Sequence, residues 1–159
     1  MNPTRRAVLV HSARTAVAAV ASLLTARLFK LPESYWAPIT TLVITQSSLG
    51  AALGVSSRRF VGTALGAALG AIVASYFSHQ VLVFGISVFL LGLFSAALRV
   101  DRAAYRFAGV TFVIILLIPR SAPPWRIAFH RFAEVCIGIA VALILAVLWP
   151  EKEDPSLDE

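Results

Sequence analysis

Long apolar runs, separated by short clusters of charge and proline, constrain this chain more than any other feature. A hydrocarbon core near 30 Å takes about 20 apolar residues in a helix at ~1.5 Å per residue. Backbone that crosses lipid must satisfy its own hydrogen bonds. The runs therefore predict an all-α integral membrane protein, with helices over residues 8–29, 36–53, 58–77, 81–98, 103–118 and 126–149. The chain has 159 residues, of which 58% are hydrophobic and 14% charged. Those values lie well outside the soluble globular norm.

Proline and aromatic residues mark the ends of the spans. Pro32 follows the first, Tyr35-Trp36-Ala37-Pro38 opens the second with interfacial aromatics and a first-turn proline, and Pro150 follows the last. Arg5 and Arg6 precede the first run as in a signal peptide, but His11 and Arg14 interrupt its start, so a retained helix is expected. Residues 1–150 read as one membrane domain and residues 151–159 as an acidic cytoplasmic tail. The tail's five acidic residues against one lysine leave the rest of the chain at +10, where the whole stands at +6. That positive charge sits at the ends of the expected helices rather than on a continuous basic face, which argues against nucleic acid.

With the N-terminus inside, Arg5, Arg6, Arg14, Arg58, Arg59, Arg99, Arg102, Arg106 and Lys152 are cytoplasmic, against Arg27, Lys30, Arg120, Arg126 and Arg131 outside. The positive-inside rule then favours both termini in the cytoplasm of a multi-pass protein of the cell (inner) membrane. A shift of 70 pairs Tyr35 with Tyr105, Thr41 with Thr111 and Ile44 with Ile114; a shift of 72 pairs Arg59-Phe60 and Gly66 with Arg131-Phe132 and Gly138. Two halves of three helices are implied. Three is odd, so the second half enters from the opposite side, a 3+3 inverted repeat of the kind transporters use.

Several residues stand out against this apolar background. Gly62, Gly66 and Gly70 leave one face of a helix nearly bare, for static packing or for a sliding or dimer surface. Thr40, Thr41, Thr45, Gln46, Ser47 and Ser48 crowd the second helix, and Gln46 needs a partner or a wet cavity. Glu134 and Arg131, three apart, share a helix face; they read either as a proton-coupling carboxylate with an anion contact or as an interfacial ion pair. Arg59 is the matching cation, or it snorkels to the headgroups. His11 and Arg14 share a face near the first boundary, and His79 and His130 fall near the other side; headgroup-level positions suit all four. The histidines are too scattered for a metal site, and Cys136 alone forms no disulfide or ligand set. No nucleophile elbow, HExxH or paired acid and base is visible, so neither an enzyme nor a cofactor is expected.

The phrases Tyr35-Trp36-Ala37-Pro38-Ile39-Thr40, Gln46-Ser47-Ser48-Leu49-Gly50 and Arg59-Phe60-Val61-Gly62-Thr63-Ala64-Leu65-Gly66 resemble the fusaric acid resistance protein-like (FUSC), or aromatic acid exporter, family. Arg131-Phe132-Ala133-Glu134 with Gly138 is similar to that family's final helix. The resemblance implies proton-driven efflux of aromatic or other organic carboxylates. Larger members carry two such modules and cytosolic domains, so one module implies a homodimer or higher homo-oligomer in the bilayer, with the glycine face of the third helix as a candidate contact.

On this reading Arg59 and Arg131 attract the anion, Thr41, Thr45 and Gln46 hydrogen-bond it, Tyr35 and Trp36 stack its ring, and Glu134 carries the proton. Similarity to plant malate channels keeps an anion channel open. A non-transporting membrane subunit of a larger complex is the third reading.

Overall fold

A computed structural model describes residues 3–45, 48–77, 80–118 and 122–149. The described residues form six helices and no strand: α1 (Pro3–Leu28), α2 (Trp36–Ile44), α3 (Leu49–Tyr76), α4 (Val81–Ala97), α5 (Arg102–Leu117) and α6 (Pro124–Leu148). The chain is thus all-α, as its apolar runs require. Among the described residues three segments are long and apolar enough to cross a membrane, namely Val8–Leu28, Leu49–Tyr76 and Pro124–Leu148, and α4 is a shorter apolar helix.

The second and third helices differ from the sequence expectation. The helix expected over residues 36–53 ends at Ile44, and α3 begins at Leu49 and runs unbroken through the turn expected at residues 54–57. The cause is local competition for backbone hydrogen bonds. Thr45 leaves the helix at φ −60°, ψ 108°, while its hydroxyl donates back to the Thr41 carbonyl at 2.8 Å. Ser48 then caps α3, its Oγ accepting from the Ala51 amide at 3.3 Å. Short polar side chains favour such caps over helix interiors. Gly54, by contrast, sits inside α3 with open space beside it, where helix is tolerated. With nine residues, α2 is about 14 Å long and does not cross a membrane alone. Arg58 and Arg59 become interior residues of a 28-residue helix instead of marking its start.

The chain divides into two compact units. The first comprises residues 1–56 and 136–159 and holds α1, α2, the start of α3 and most of α6. Ile44, Ala52 and Ala142 form its apolar centre, with Val55, Ile139 and Leu143 against them. On α1 the buried ladder is Arg14, Ala18, Ser22 and Ala26 at a spacing of four, one face of a helix. The Thr41 hydroxyl shares its proton between the Ala37 carbonyl at 3.0 Å and the Gly138 carbonyl of α6 at 3.1 Å. A Cβ at Gly138 would stand 2.5 Å from the Ala37 carbonyl oxygen, so glycine is what lets α6 reach α2.

The second unit, residues 57–135, holds the rest of α3, α4, α5 and the start of α6. Leu91, Ala108, Phe112 and Leu116 form one buried cluster, and Ala67, Ile115 and Ala128 another. Gly62, Gly66 and Gly70 face α5: a Cβ at Gly62 or Gly66 would collide with the carbonyl of Ala104 or Ala108, and one at Gly70 would stand 3.2 Å from the Ile115 Cβ. The glycine face considered as a contact between copies is thus covered within the chain.

Matching details recur in the two halves of the sequence. Lys30 and Arg99 both adopt φ 53° just past α1 and α4. At the first, the Leu31 amide bonds the Ala26 carbonyl (3.1 Å) and the Lys30 amide that of Arg27 (2.9 Å); at the second, Val100 bonds Ser95 (2.9 Å) and Arg99 bonds Ala96 (3.1 Å). Both are Schellman caps, with a basic residue in the position usually taken by glycine. Likewise Gly66 of α3 packs on α5 and Gly138 of α6 packs on α2. In each unit, then, the third helix of one half packs on the second helix of the other.

Candidate functional site

Ionisable side chains inside an apolar bundle are costly unless they are paired or useful, so they locate the site. Among the described residues the buried charged groups are Arg14, Arg59, Arg131 and Glu134. Three of these lie in the second unit. Arg131 and Glu134 are one helical turn apart on α6, with Nη1 and Oε2 3.9 Å apart and side chains only 2% and 1% exposed. The i,i+3 spacing puts them on one face, as expected, but their burial inside the protein replaces the interfacial ion pair with an internal one. Desolvation makes either charge alone unfavourable there.

Arg59 is also internal. It is 7% exposed, and its guanidinium carbon lies 4.8 Å from the centroid of the Phe107 ring on α5. It does not snorkel, because the glycines that follow it draw α3 onto α5 and bring an aromatic face beneath the cation. Its neighbour Arg58 points elsewhere and pairs with Asp101 at 3.6 Å, while the Asp101 carboxylate caps α5 by accepting from the Ala103 amide at 2.7 Å. One residue beyond each buried arginine, Phe60 and Phe132 meet with ring centroids 5.2 Å apart. This contact joins α3 to α6 and gathers Arg59, Arg131 and Glu134 around one helix crossing.

The other sequence-selected residues lie in the first unit. The rings of Tyr35 and Trp36 lie 5.6 Å apart between centroids and are tilted by 39°, with Tyr35 exposed and the Trp36 indole N–H donating to Glu33 Oε2 at 3.1 Å. The hydroxyls of Thr41 and Thr45 are engaged by backbone carbonyls, so both act in helix packing and termination. Gln46 and Ser47 lie outside the described residues, as do His79, Arg120 and the tail from Pro150 to Glu159. Arg14 was expected with His11 at headgroup level; His11 is exposed, but Arg14 is only 2% exposed. The signal for Arg14 was its place one step before the Ala18, Ser22, Ala26 ladder. Phe107 carried no signal beyond its proximity to Arg106, since its role depends on α3 lying against α5.

A separate cavity of about 420 Å³ in the second unit is lined by Leu69, Val73, Ser87, Leu91, Phe94, Phe112 and neighbouring apolar side chains. None of the buried charged residues lines it, and its chemistry suits hydrocarbon.

Comparison with known proteins agrees with these features. The family described as fusaric acid resistance protein-like matches residues 17–145. The chain is 28% identical to inner membrane protein YeeA of Escherichia coli over 91% of its own length and 42% of that protein. It is also 28% identical to the uncharacterized transporter YdhK of Escherichia coli, over 91% of this chain and 23% of that one, and similarly to YdhK of Salmonella typhimurium. The chain thus spans less than half the length of these relatives. No solved structure matches. A family match across most of the chain, on a helical membrane fold with arginines inside it, establishes that this chain belongs to the fusaric acid resistance protein-like family.

Proposed function

We propose that this chain is a transport module of the cell (inner) membrane that moves organic carboxylates outward. The observation that carries the reading is the sign of the buried charge: three arginines and one glutamate among the described residues. A bundle interior with excess positive charge favours anions over cations. Arg59 and Arg131, on either side of the Phe60–Phe132 contact, are the carboxylate-attracting groups, and a guanidinium suits a carboxylate because its paired N–H groups match the two oxygens. Glu134 is the proton-coupling carboxylate, held beside Arg131. Relatives named as an inner membrane protein and as transporters support the class.

Both termini are assigned to the cytoplasm, and two or more copies assemble in the bilayer. The test is efflux of aromatic and aliphatic carboxylates from proteoliposomes containing only this chain, with and without an imposed proton gradient. Gradient-dependent flux is expected. Flux indifferent to the gradient would make it a channel, and no flux from folded protein would make it a subunit that needs a partner.

A further inference from the structure

We infer that the apolar cavity beside α4 binds one acyl chain of an anionic phospholipid, whose headgroup lies on Arg99 and Arg102 at the turn between α4 and α5. The site is separate from the buried charged residues and does not depend on the transport reading.

The cavity, about 420 Å³, runs from the outside of the second unit to its core. Leu90, Leu93 and Phe94 of α4 line its exposed side, whereas Leu91 and Phe112 at its floor are fully buried. α4 contains no charged residue, and Leu82, Ile86 and Phe89 extend the exposed apolar face around the mouth. In a bilayer that mouth therefore opens into hydrocarbon rather than water. Ser87, Leu91, Phe94 and Ala97 follow one another at helical spacing, so the lining extends about 15 Å along α4. That is about half of a ~30 Å hydrocarbon core, the depth of one leaflet and the reach of one acyl chain.

The glycines explain why the gap lies at α4. α3 meets α5 backbone to backbone at Gly62 and Gly66, but open space lies beside Gly85 of α4, and a Cβ at Gly92 would meet only the Tyr105 side chain, at 3.3 Å from its hydroxyl oxygen. A chain of methylenes along this flank supplies the dispersion contacts that the looser packing forgoes. The charge at the end of the lining selects the headgroup. Ala97 precedes Arg99 by two residues, and Arg102 shares the face of α5 that carries Tyr105 and Phe112. Both arginines are exposed, as is Arg106, while the one acid of the turn, Asp101, is engaged by Arg58 at 3.6 Å and by the Ala103 amide at 2.7 Å. With 17 residues, α4 is about 25 Å long, short of a ~30 Å core, so the arginines at its end reach for the headgroups. A guanidinium pairs well with a phosphate, and an anionic headgroup has no ammonium to offset the attraction.

The experiment titrates the protein, purified in neutral detergent, with dioleoyl phosphatidylglycerol or dioleoyl phosphatidylcholine and counts bound lipid by native mass spectrometry. One phosphatidylglycerol per chain is expected, held about tenfold more tightly than phosphatidylcholine. Arg99→Asn combined with Arg102→Gln should bring the two lipids within about twofold of each other; asparagine tolerates the positive φ of position 99. Arg27→Gln, at an exposed arginine ending α1, is the control and should leave the preference intact. Ser87→Trp fills the cavity and should abolish retention of both lipids. Should that variant fail to fold, dioctanoyl phosphatidylglycerol makes the same test on the wild type and should bind more weakly by about tenfold or more. Equal affinity for the two headgroups, an equal loss of preference in Arg27→Gln, or no penalty for the short chains would overturn the site. So would a wild-type dimer that Ser87→Trp splits and that never retains phosphatidylglycerol, because the cavity would then hold a second copy of the chain.

Discussion

Replacing Gly66 by alanine adds one methyl group to a helix and should still be among the most damaging small changes available to this chain. The added Cβ would collide with the Ala108 carbonyl oxygen and stand 2.9 Å from the Ala108 C and Cα atoms. All three are backbone, so no rotamer change relieves the contact and α3 must move off α5. Overpacking of this kind costs about 1–3 kcal/mol, against which the better helix propensity of alanine returns less than about 1 kcal/mol. Gly54 provides the control, because nothing lies within 4 Å of its added Cβ; Gly54→Ala should be neutral or mildly stabilising. Gly70 lies between them, since its Cβ would meet only Ile115 side-chain atoms at 3.2 to 3.4 Å, and these can yield. Unfolding by SDS titration in mixed micelles, read by helical circular dichroism, should rank stability as Gly54→Ala, then Gly70→Ala, then Gly66→Ala. Equal stability of Gly54→Ala and Gly66→Ala would refute the claim that glycine is required by the approach of α5.

Two further predictions concern the buried charge and the topology. Arg131→Met alone should destabilise the chain by about 3–5 kcal/mol by removing one member of a buried pair, and the double variant with Glu134→Met should recover part of that loss; a double variant less stable than the single would contradict a mutually compensating pair. In a Cys136→Ala background, an impermeant maleimide should label Gln80→Cys on intact cells and Arg99→Cys only after permeabilisation, because α4 separates the two sites. The reverse pattern would place the N-terminus outside.

The sequence carried the class of fold clearly, because lipid allows few alternatives to helices and long apolar runs are hard to mistake. It was less informative about where α2 ends. Hydropathy continues past Ile44, and the break came from Thr45 and Ser48 bonding to backbone, a local competition that an average over apolar residues cannot register. The arginines are visible in the sequence but their setting is not: a helix start at Arg58 and Arg59 implies an interfacial position. Once α3 runs through them, Arg59 lies inside the bundle against Phe107. Arg14 shows that a cation on a ladder of small residues belongs to the packed face of its helix. What no single-chain pattern held was the pairing of α3 with α5 and of α6 with α2, since both join residues far apart in sequence and depend on glycines whose value appears only at the contact.

The account turns on whether a buried guanidinium serves the anion, so the most direct measurement is benzoate flux through wild type and Arg59→Gln, reconstituted side by side at equal helical content. The account predicts saturable flux in the wild type and a loss of tenfold or more in apparent affinity in Arg59→Gln. Equal saturable flux from the two proteins would contradict it.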